Sequence, residues 1–208
     1  MTAMKRVVIV GGTHGNELGG IYLHKLWKSP PAAWNDYPFQ VETCLGNPGA
    51  AAVCRRYLDQ DLNRSFVQSD LANPDLAAYE AQRAKVLASR LGDTDFLFDL
   101  HNTTANMGVC LILSRAQALE DPLTRQLCAH LSQDPIVRVY HNPDAPAQSP
   151  YLPSVAQRDI TVEVGPMAHG TLNAALFFKT RETILRALDF LAAWQRGEAE
   201  PQTGRLTI

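Results

Sequence analysis

The sequence predicts an α/β sandwich in which a central mixed, largely parallel sheet is flanked by helices. Short apolar runs typical of buried strands alternate along the chain with longer segments of helical periodicity. Polar residues directly follow several of these runs, and in such folds functional sites gather at the carboxyl ends of strands. Hydrophobic residues make up 46% of the 208 residues, which is ample for one core.

The predicted strands are short segments rich in Val, Ile, Leu and Phe, and in chain order they lie at 7–10, 39–45, 96–100, 109–113, 136–140 and 159–164. Helices are predicted where apolar residues recur with a period near 3.6 and where Asn-Pro, Asp-Pro or Gly marks an end. They lie at 18–27, after 47–48, and at 75–91, 121–131 and 173–194. The 75–91 helix is expected to face the core with Leu76, Tyr79, Val86, Leu87 and Leu91.

Composition indicates which partners to expect. The chain has 19 Lys and Arg against 21 Asp and Glu, so neither a nucleic-acid surface nor a membrane surface is predicted. No segment has the length of a membrane span, and the first apolar run is too short for a signal peptide. The four cysteines are widely spaced, which indicates reduced thiols in a cytoplasmic protein. The oligomeric state stays open, a homo-oligomer included.

The segment Gly11 to Glu17 follows the first strand and has the sequence Gly-Gly-Thr-His-Gly-Asn-Glu. Its glycines allow a sharp turn, and His14 and Glu17 lie three residues apart where strand passes into helix. That spacing can direct an imidazole and a carboxylate at one point, as a metal site requires. A phosphate-binding loop does not fit because G-x-G-x-x-G is absent, whereas an ordinary polar turn remains an alternative.

A second histidine, His101, ends the predicted strand at 96–100. A catalytic zinc ion takes three protein ligands and keeps a fourth position open, and His14, Glu17 and His101 make such a set. His141, also at a strand end, is the rival ligand. Asp99 shares the strand face of His101 and either orients its imidazole or is simply a polar residue at a strand end.

Glu163 is an acid in an otherwise apolar strand, where burying an unpaired carboxylate is costly. It therefore either pairs with a cation or works at the site as the base. Arg56 and Arg64, with Asn63, lie in a loop dense with hydrogen-bonding groups and suit the recognition of a carboxylate. Each arginine taken alone could equally be solvated surface.

Four motifs together resemble the aspartoacylase family: Gly-Gly-Thr-His-Gly-Asn-Glu at 11–17, Asp-Leu-Asn-Arg at 61–64, Asp-Leu-His-Asn-Thr-Thr at 99–104 and Glu-Val-Gly-Pro at 163–166. That family, with aminoacylase-3 and the succinylglutamate desuccinylases, is similar in fold to zinc carboxypeptidases. The resemblance runs in order from about residue 5 to residue 197. Four linked motifs make it far more specific than any single one.

The resemblance implies a zinc-dependent hydrolase that cleaves the amide bond of an N-acyl amino acid, such as N-acetylaspartate, to a carboxylate and a free amino acid. It implies one zinc ion per chain, held by His14, Glu17 and His101, with zinc-activated water as the nucleophile. Glu163 would be the proton shuttle and Arg56 would polarise the scissile carbonyl. The remaining substrate-binding residues would be Asn63 and Arg64 on the α-carboxylate, together with Asn102 and Tyr151.

Two departures from the family pattern affect these expectations. Pro153 stands where aspartoacylases carry the arginine that grips the aspartate side chain, and Arg158 is the nearest cation. Residues 1–197 are expected to form the catalytic domain, and 198–208 a linker and the start of an absent C-terminal β domain. The alternatives are the same chemistry on succinylated or aromatic acyl amino acids or on a peptide C-terminus, or a non-catalytic metal-binding domain.

Overall fold

A six-stranded sheet forms the centre of the computed structural model, which describes residues 3–146 and 148–201. The strands are β1 Arg6–Gly11, β2 Gln40–Leu45, β3 Phe96–Asn102, β4 Gly108–Leu113, β5 Val137–His141 and β6 Arg158–Gly165, in the order β2-β1-β3-β6-β4-β5. Neighbours pair in parallel except β4 and β6, which are antiparallel. The predicted mixed, largely parallel sheet is confirmed.

The helices in the described part of the chain are α1 Leu18–Leu26, α2 Pro48–Ala52, α3 Gln68–Ala72, α4 Tyr79–Leu91, α5 Pro122–Leu131 and α6 Ala174–Arg196. Short 3₁₀ turns lie at Ala32–Asp36, Leu62–Arg64, Ala118–Glu120 and Leu152–Val155. The side chains of Asn47, Asp121 and Asn173 cap α2, α5 and α6 as the sequence predicts. None of these helices has the length and apolar character needed to cross a membrane.

The predicted helix at 75–91 is wrong in its first turn. The structure has a separate short helix, α3, and α4 begins only at Tyr79. Asn73 accepts a hydrogen bond from the Asp75 N–H in a local turn, and the Tyr79 N–H at the start of α4 donates to Asp59 Oδ2. Val86, expected on the inner face, is 54% exposed, whereas Ala84, Leu87 and Leu91 are buried.

The two faces of the sheet pack on different helices. On one face, Ile9, Phe98 and Val162 are buried in a cluster that includes residues of α1, α5 and α6. On the other face, Val10 and Leu97 pack with residues of α4. Each large apolar side chain buried in these layers stabilises the fold by roughly 1.5–3 kcal/mol.

The pleat of the sheet decides which face carries the polar residues. Asp99 pairs with Thr161 and His101 with Glu163 in the β3–β6 register, so all four side chains point to the α4 face. They lie towards the carboxyl ends of their strands.

The predicted end of the catalytic domain coincides with the end of α6. Gly197 terminates this helix in the left-handed conformation, at φ 74°. Most of the segment predicted as a linker and the start of a β domain, residues 202–208, lies outside the described residues, and the predicted domain division stays a prediction.

Candidate active site

The turn after β1 brings His14 and Glu17 to the edge of the sheet. Gly12 adopts φ 71°, a left-handed conformation that favours glycine. The chain then passes against α2, where a Cβ on Gly15 would lie 2.2 Å from the carbonyl carbon of Ala50. The Glu17 N–H closes the turn by donating to the His14 carbonyl oxygen at 3.2 Å. Two glycines are therefore needed to present this histidine and glutamate together.

His14, Glu17 and His101 meet because β1 and β3 are neighbours in the sheet. The His14 Nδ1 atom lies 2.7 Å from Glu17 Oε1, and His101 Nδ1 lies 3.0 Å from Glu17 Oε2. The two Nδ1 atoms are 3.2 Å apart. All three residues are buried, and within the described ranges they form the group of His, Cys, Asp or Glu able to hold a metal.

Carboxylates hold the outer nitrogens of both imidazoles. Asp61 Oδ1 lies 3.0 Å from His14 Nε2, and Asp99 Oδ2 lies 2.8 Å from His101 Nε2. The Thr13 hydroxyl in turn donates to Asp99 Oδ1 at 2.7 Å. In a neutral imidazole that donates its Nε2 proton to one of these carboxylates, the Nδ1 atom carries the lone pair and can bind a metal ion. Asp99 thus lies where an orienting residue would.

Opposite charges in the cluster stabilise one another. Burial alone would raise the pKa of Glu17, but His101 and His14 outweigh it and lower that pKa. Burial alone would lower the pKa of His101, yet Asp99 and Glu17 raise it well above its usual value. Two imidazole nitrogens and a carboxylate converge in a buried site, a donor set that suits a divalent metal ion such as zinc.

A pocket of about 340 Å³ opens beside this cluster. Among the described residues its lining includes most of the predicted site, namely His14, Arg56, Asn63, Arg64, His101, Tyr151 and Glu163. Ile112, Tyr140, Ala145 and Pro146 also line the pocket. This cavity therefore lies beside the His14–Glu17–His101 group, called the metal-type cluster below. It is also lined by two arginines and by Glu163.

Arg56 is oriented by Asp61, which accepts from its Nε at 3.2 Å and from its Nη2 at 3.1 Å. Because Asp61 also holds His14, one carboxylate couples the arginine to the metal-type cluster. Burial alone would raise the pKa of Asp61, but His14 and Arg56 lower it. Sequence reasoning missed Asp61, although its position two residues before Asn63 in the 61–64 motif was an available signal.

The arginine-bearing rim of the pocket comprises Arg56, Asn63 and Arg64. The Asn63 Oδ1 atom accepts from the Leu152 N–H at 2.8 Å, and the Asn63 side-chain nitrogen makes no hydrogen bond among the described residues. Arg64 stacks over the Tyr151 ring at 4.9 Å from its centroid and donates to the Asn63 carbonyl oxygen. This contact holds the guanidinium over the ring beside the pocket, where it can bind a carboxylate.

Asn102 does not reach the pocket. Its side-chain oxygen accepts from the Gly19 N–H at 2.9 Å, and its side-chain nitrogen donates to the His101 carbonyl oxygen. The side chain thus ties α1 to β3, and its position does not support the predicted substrate contact. Its backbone N–H instead donates to Glu17 Oε2 at 2.9 Å.

Glu163 lies beside His101 in the sheet register and faces the pocket. Its carboxylate makes no hydrogen bond or ion pair within residues 3–146 and 148–201. Burial raises its pKa, and the His101 charge counteracts that effect only in part. The strand β6 is not otherwise apolar as predicted, because Asp159 is also buried there. Its carboxylate accepts hydrogen bonds from Ser114 and Arg115.

The remaining candidates have other partners. His141, the rival ligand, lies with its Nε2 2.8 Å from the Ala116 carbonyl oxygen, outside the metal-type cluster. Pro153 is buried in the 3₁₀ turn after Tyr151, and Arg158 pairs with Asp121. Within the described residues, the cations lining the pocket are thus Arg56 and Arg64.

This sheet order, with a His–Glu–His cluster at strand ends, defines a zinc carboxypeptidase-like α/β fold, as predicted. The chain belongs to the family of succinylglutamate desuccinylase/aspartoacylase catalytic domains, whose model matches residues 3–191. The family resemblance predicted from the four motifs is therefore confirmed.

Known proteins of this family match along most of the chain. A probable aspartoacylase of Nostoc sp. is 42% identical over 204 residues, covering 95% of this chain and 67% of that protein. The Homo sapiens N-acyl-aromatic-L-amino acid amidohydrolase (carboxylate-forming) is 40% identical, covering 95% and 65%. The crystal structure of murine aminoacylase 3 superposes with a TM-score of 0.85 at 37% identity, covering 94% and 67%. The chain thus spans about two thirds of the length of these relatives.

Proposed function

We propose that this chain is a zinc-dependent amidohydrolase that converts an N-acyl amino acid to a carboxylate and a free amino acid. The observation that carries the proposal is the juxtaposition, in one pocket, of the His14–Glu17–His101 cluster with an unpaired Glu163. The names of the relatives, aspartoacylase and N-acyl-aromatic-L-amino acid amidohydrolase, support this reaction class.

His14, Glu17 and His101 would hold the zinc ion, with Asp61 and Asp99 keeping both imidazoles in the required tautomer. When bound, zinc supplies Lewis acidity that polarises a carbonyl and lowers the pKa of water to about 7. The proposed stoichiometry is one zinc ion per chain.

The arginine-bearing rim would orient the substrate. Arg64 and the side-chain nitrogen of Asn63 would bind the α-carboxylate, with Tyr151 holding the Arg64 guanidinium over its ring. Arg56, held by Asp61, would stabilise negative charge that develops on the carbonyl oxygen. Binding and catalysis would thus draw on different arginines.

Glu163 would act as general base and then general acid. Its carboxylate would take a proton from the attacking water and deliver it to the leaving nitrogen. The upward shift of its pKa by burial moves the group towards the range where it can both accept and release a proton.

An assay of zinc-loaded protein with a panel of N-acyl amino acids tests the proposal. Release of a free amino acid from at least one substrate is the expected result. If the protein binds zinc stoichiometrically but hydrolyses none of the panel, it is a metal-binding domain and the proposed function is wrong.

The enzyme should not prefer N-acyl amino acids with an acidic side chain. Pro153 offers no charge, Arg158 is engaged by Asp121, and Ile112 and Tyr140 form an apolar wall of the pocket. We expect kcat/KM for N-acetyl-L-phenylalanine to equal or exceed that for N-acetyl-L-aspartate. A much higher kcat/KM for N-acetyl-L-aspartate would contradict the role proposed here for Ile112 and Tyr140.

Tyr140→Ala provides a matched variant for this expectation. The Tyr140 side chain is 56% exposed at the pocket, so its removal should cost little stability. Loss of an apolar contact should lower kcat/KM for the phenylalanine substrate by roughly tenfold, within the range for hydrophobic subsites. N-acetyl-L-alanine, which lacks the aromatic side chain, serves as the control and should be almost unaffected.

A further inference from the structure

Glu80, in the first turn of α4, is a fully buried carboxylate outside the pocket. Its Oε1 accepts from the Leu58 N–H at 2.7 Å and from Asn47 Nδ2 at 3.0 Å. Its Oε2 accepts from the Asp59 N–H at 3.0 Å and the Gln60 N–H at 3.2 Å. Burial alone would raise the pKa of Glu80, but these four hydrogen bonds lower it, so the group is ionised at neutral pH.

The three backbone amides belong to the loop that carries the arginine-bearing rim. Residues 58–60 lie between Arg56 and the 61–64 motif, and these amides make no backbone hydrogen bond within the described residues. Glu80 supplies an acceptor for each of the three. One carboxylate therefore holds three consecutive amides of the loop.

Neighbouring contacts bind the same turn of α4 to the loop and to α2. The Tyr79 N–H donates to Asp59 Oδ2 at 2.7 Å, and the Tyr79 hydroxyl accepts from the Gly49 N–H at 2.9 Å. Asn47, which donates to Glu80, also caps α2 through the Ala50 N–H. Glu80 is at the centre of this group of contacts.

We infer that Glu80 is a positioning residue for the substrate-binding loop, an inference that rests on the proposed function. Asp61 directly follows the three amides held by Glu80 and orients both Arg56 and His14. Asn63 and Arg64 come next in the chain. Glu80 thereby sets the position of the groups that would bind the α-carboxylate and the carbonyl oxygen without touching the substrate itself.

The Glu80→Gln variant tests this inference with minimal change of shape. A glutamine has one acceptor oxygen, and its NH₂ group would face amide donors, so at least two of the four hydrogen bonds are lost. We expect zinc to stay at one equivalent and kcat/KM to fall by about 10- to 100-fold, as for a displacement near 1 Å. Binding of the free product amino acid, followed by calorimetry, should weaken in parallel.

Hydrogen exchange separates positioning from a general loss of stability. In Glu80→Gln, the amides of 58–60 should exchange faster, whereas those of β3 should keep their protection relative to global unfolding. Asp134→Asn is the matched control because Asp134 also accepts from a backbone N–H, that of Ile136, and from Lys179, away from the pocket. This variant should lose stability but retain kcat/KM and the exchange rates of 58–60.

Glu80→Asp, which keeps the charge but shortens the side chain, is the second variant if Glu80→Gln does not fold. Unchanged exchange at 58–60, or unchanged kcat/KM per zinc-loaded molecule, would overturn the inference. If the wild-type protein hydrolyses no N-acyl amino acid, the proposed function fails instead. The exchange and amino-acid binding measurements then still decide whether Glu80 positions the loop.

Discussion

His101→Ala should yield a folded protein with almost no bound zinc, against about one equivalent in the wild type. The substitution removes one of three convergent donors and leaves His14 and Glu17 as an incomplete set. The apolar layers on both faces of the sheet are untouched, so the fold should survive. Asp99 loses one of its two partners and stays buried, so a lower melting temperature is also expected.

Elemental analysis after gel filtration measures this outcome, and circular dichroism confirms folding. His141→Ala is the control because His141 also lies at a strand end but contacts Ala116 rather than the cluster. It should retain full zinc content. Unchanged zinc in His101→Ala would show that the ligand set is wrongly assigned.

Glu163→Gln should bind zinc and substrate normally yet lose activity. Glutamine keeps the shape of the side chain but cannot accept a proton at neutral pH, so kcat should fall by roughly 10²–10⁴-fold, as for loss of a general base. Because Glu163 has no hydrogen-bond or ion-pair partner among the described residues, the fold should not be disturbed. Steady-state kinetics with zinc-loaded protein separate the effect on kcat from that on KM.

Glu182→Gln provides a control for the change in charge, since Glu182 lies on α6 and makes an exposed ion pair with Lys179. It should leave both kinetic constants unchanged. Near-normal turnover by Glu163→Gln would instead assign the base to another residue.

Much of the fold could be predicted because its four inner strands, β1, β3, β4 and β6, are largely buried on both faces and therefore appear as apolar runs. Residues 96–100 and 109–113 are such runs, and both lie within observed strands. The start of α4 could not be predicted, because contacts of Tyr79 and Glu80 with a loop about twenty residues earlier help to set it. Periodicity does not contain that information.

The convergence of His14 and Glu17 could be predicted because it depends on local structure alone. His14 and Glu17 are three residues apart, so their convergence depends on one turn. The side-chain position of Asn102 could not be predicted, because this side chain faces Gly19 on α1, a contact fixed by helix–sheet packing. The link from Asp61 to both His14 and Arg56 likewise joins residues that only the folded chain brings together.

Titration of metal-free protein with zinc tests the central claim most directly, with hydrolysis of an N-acyl amino acid as the readout. The His14–Glu17–His101 cluster predicts a rate that rises linearly with added zinc and reaches a plateau at one equivalent per chain. Hydrolysis at full rate without metal, or none at any zinc concentration, would contradict a zinc-dependent amidohydrolase.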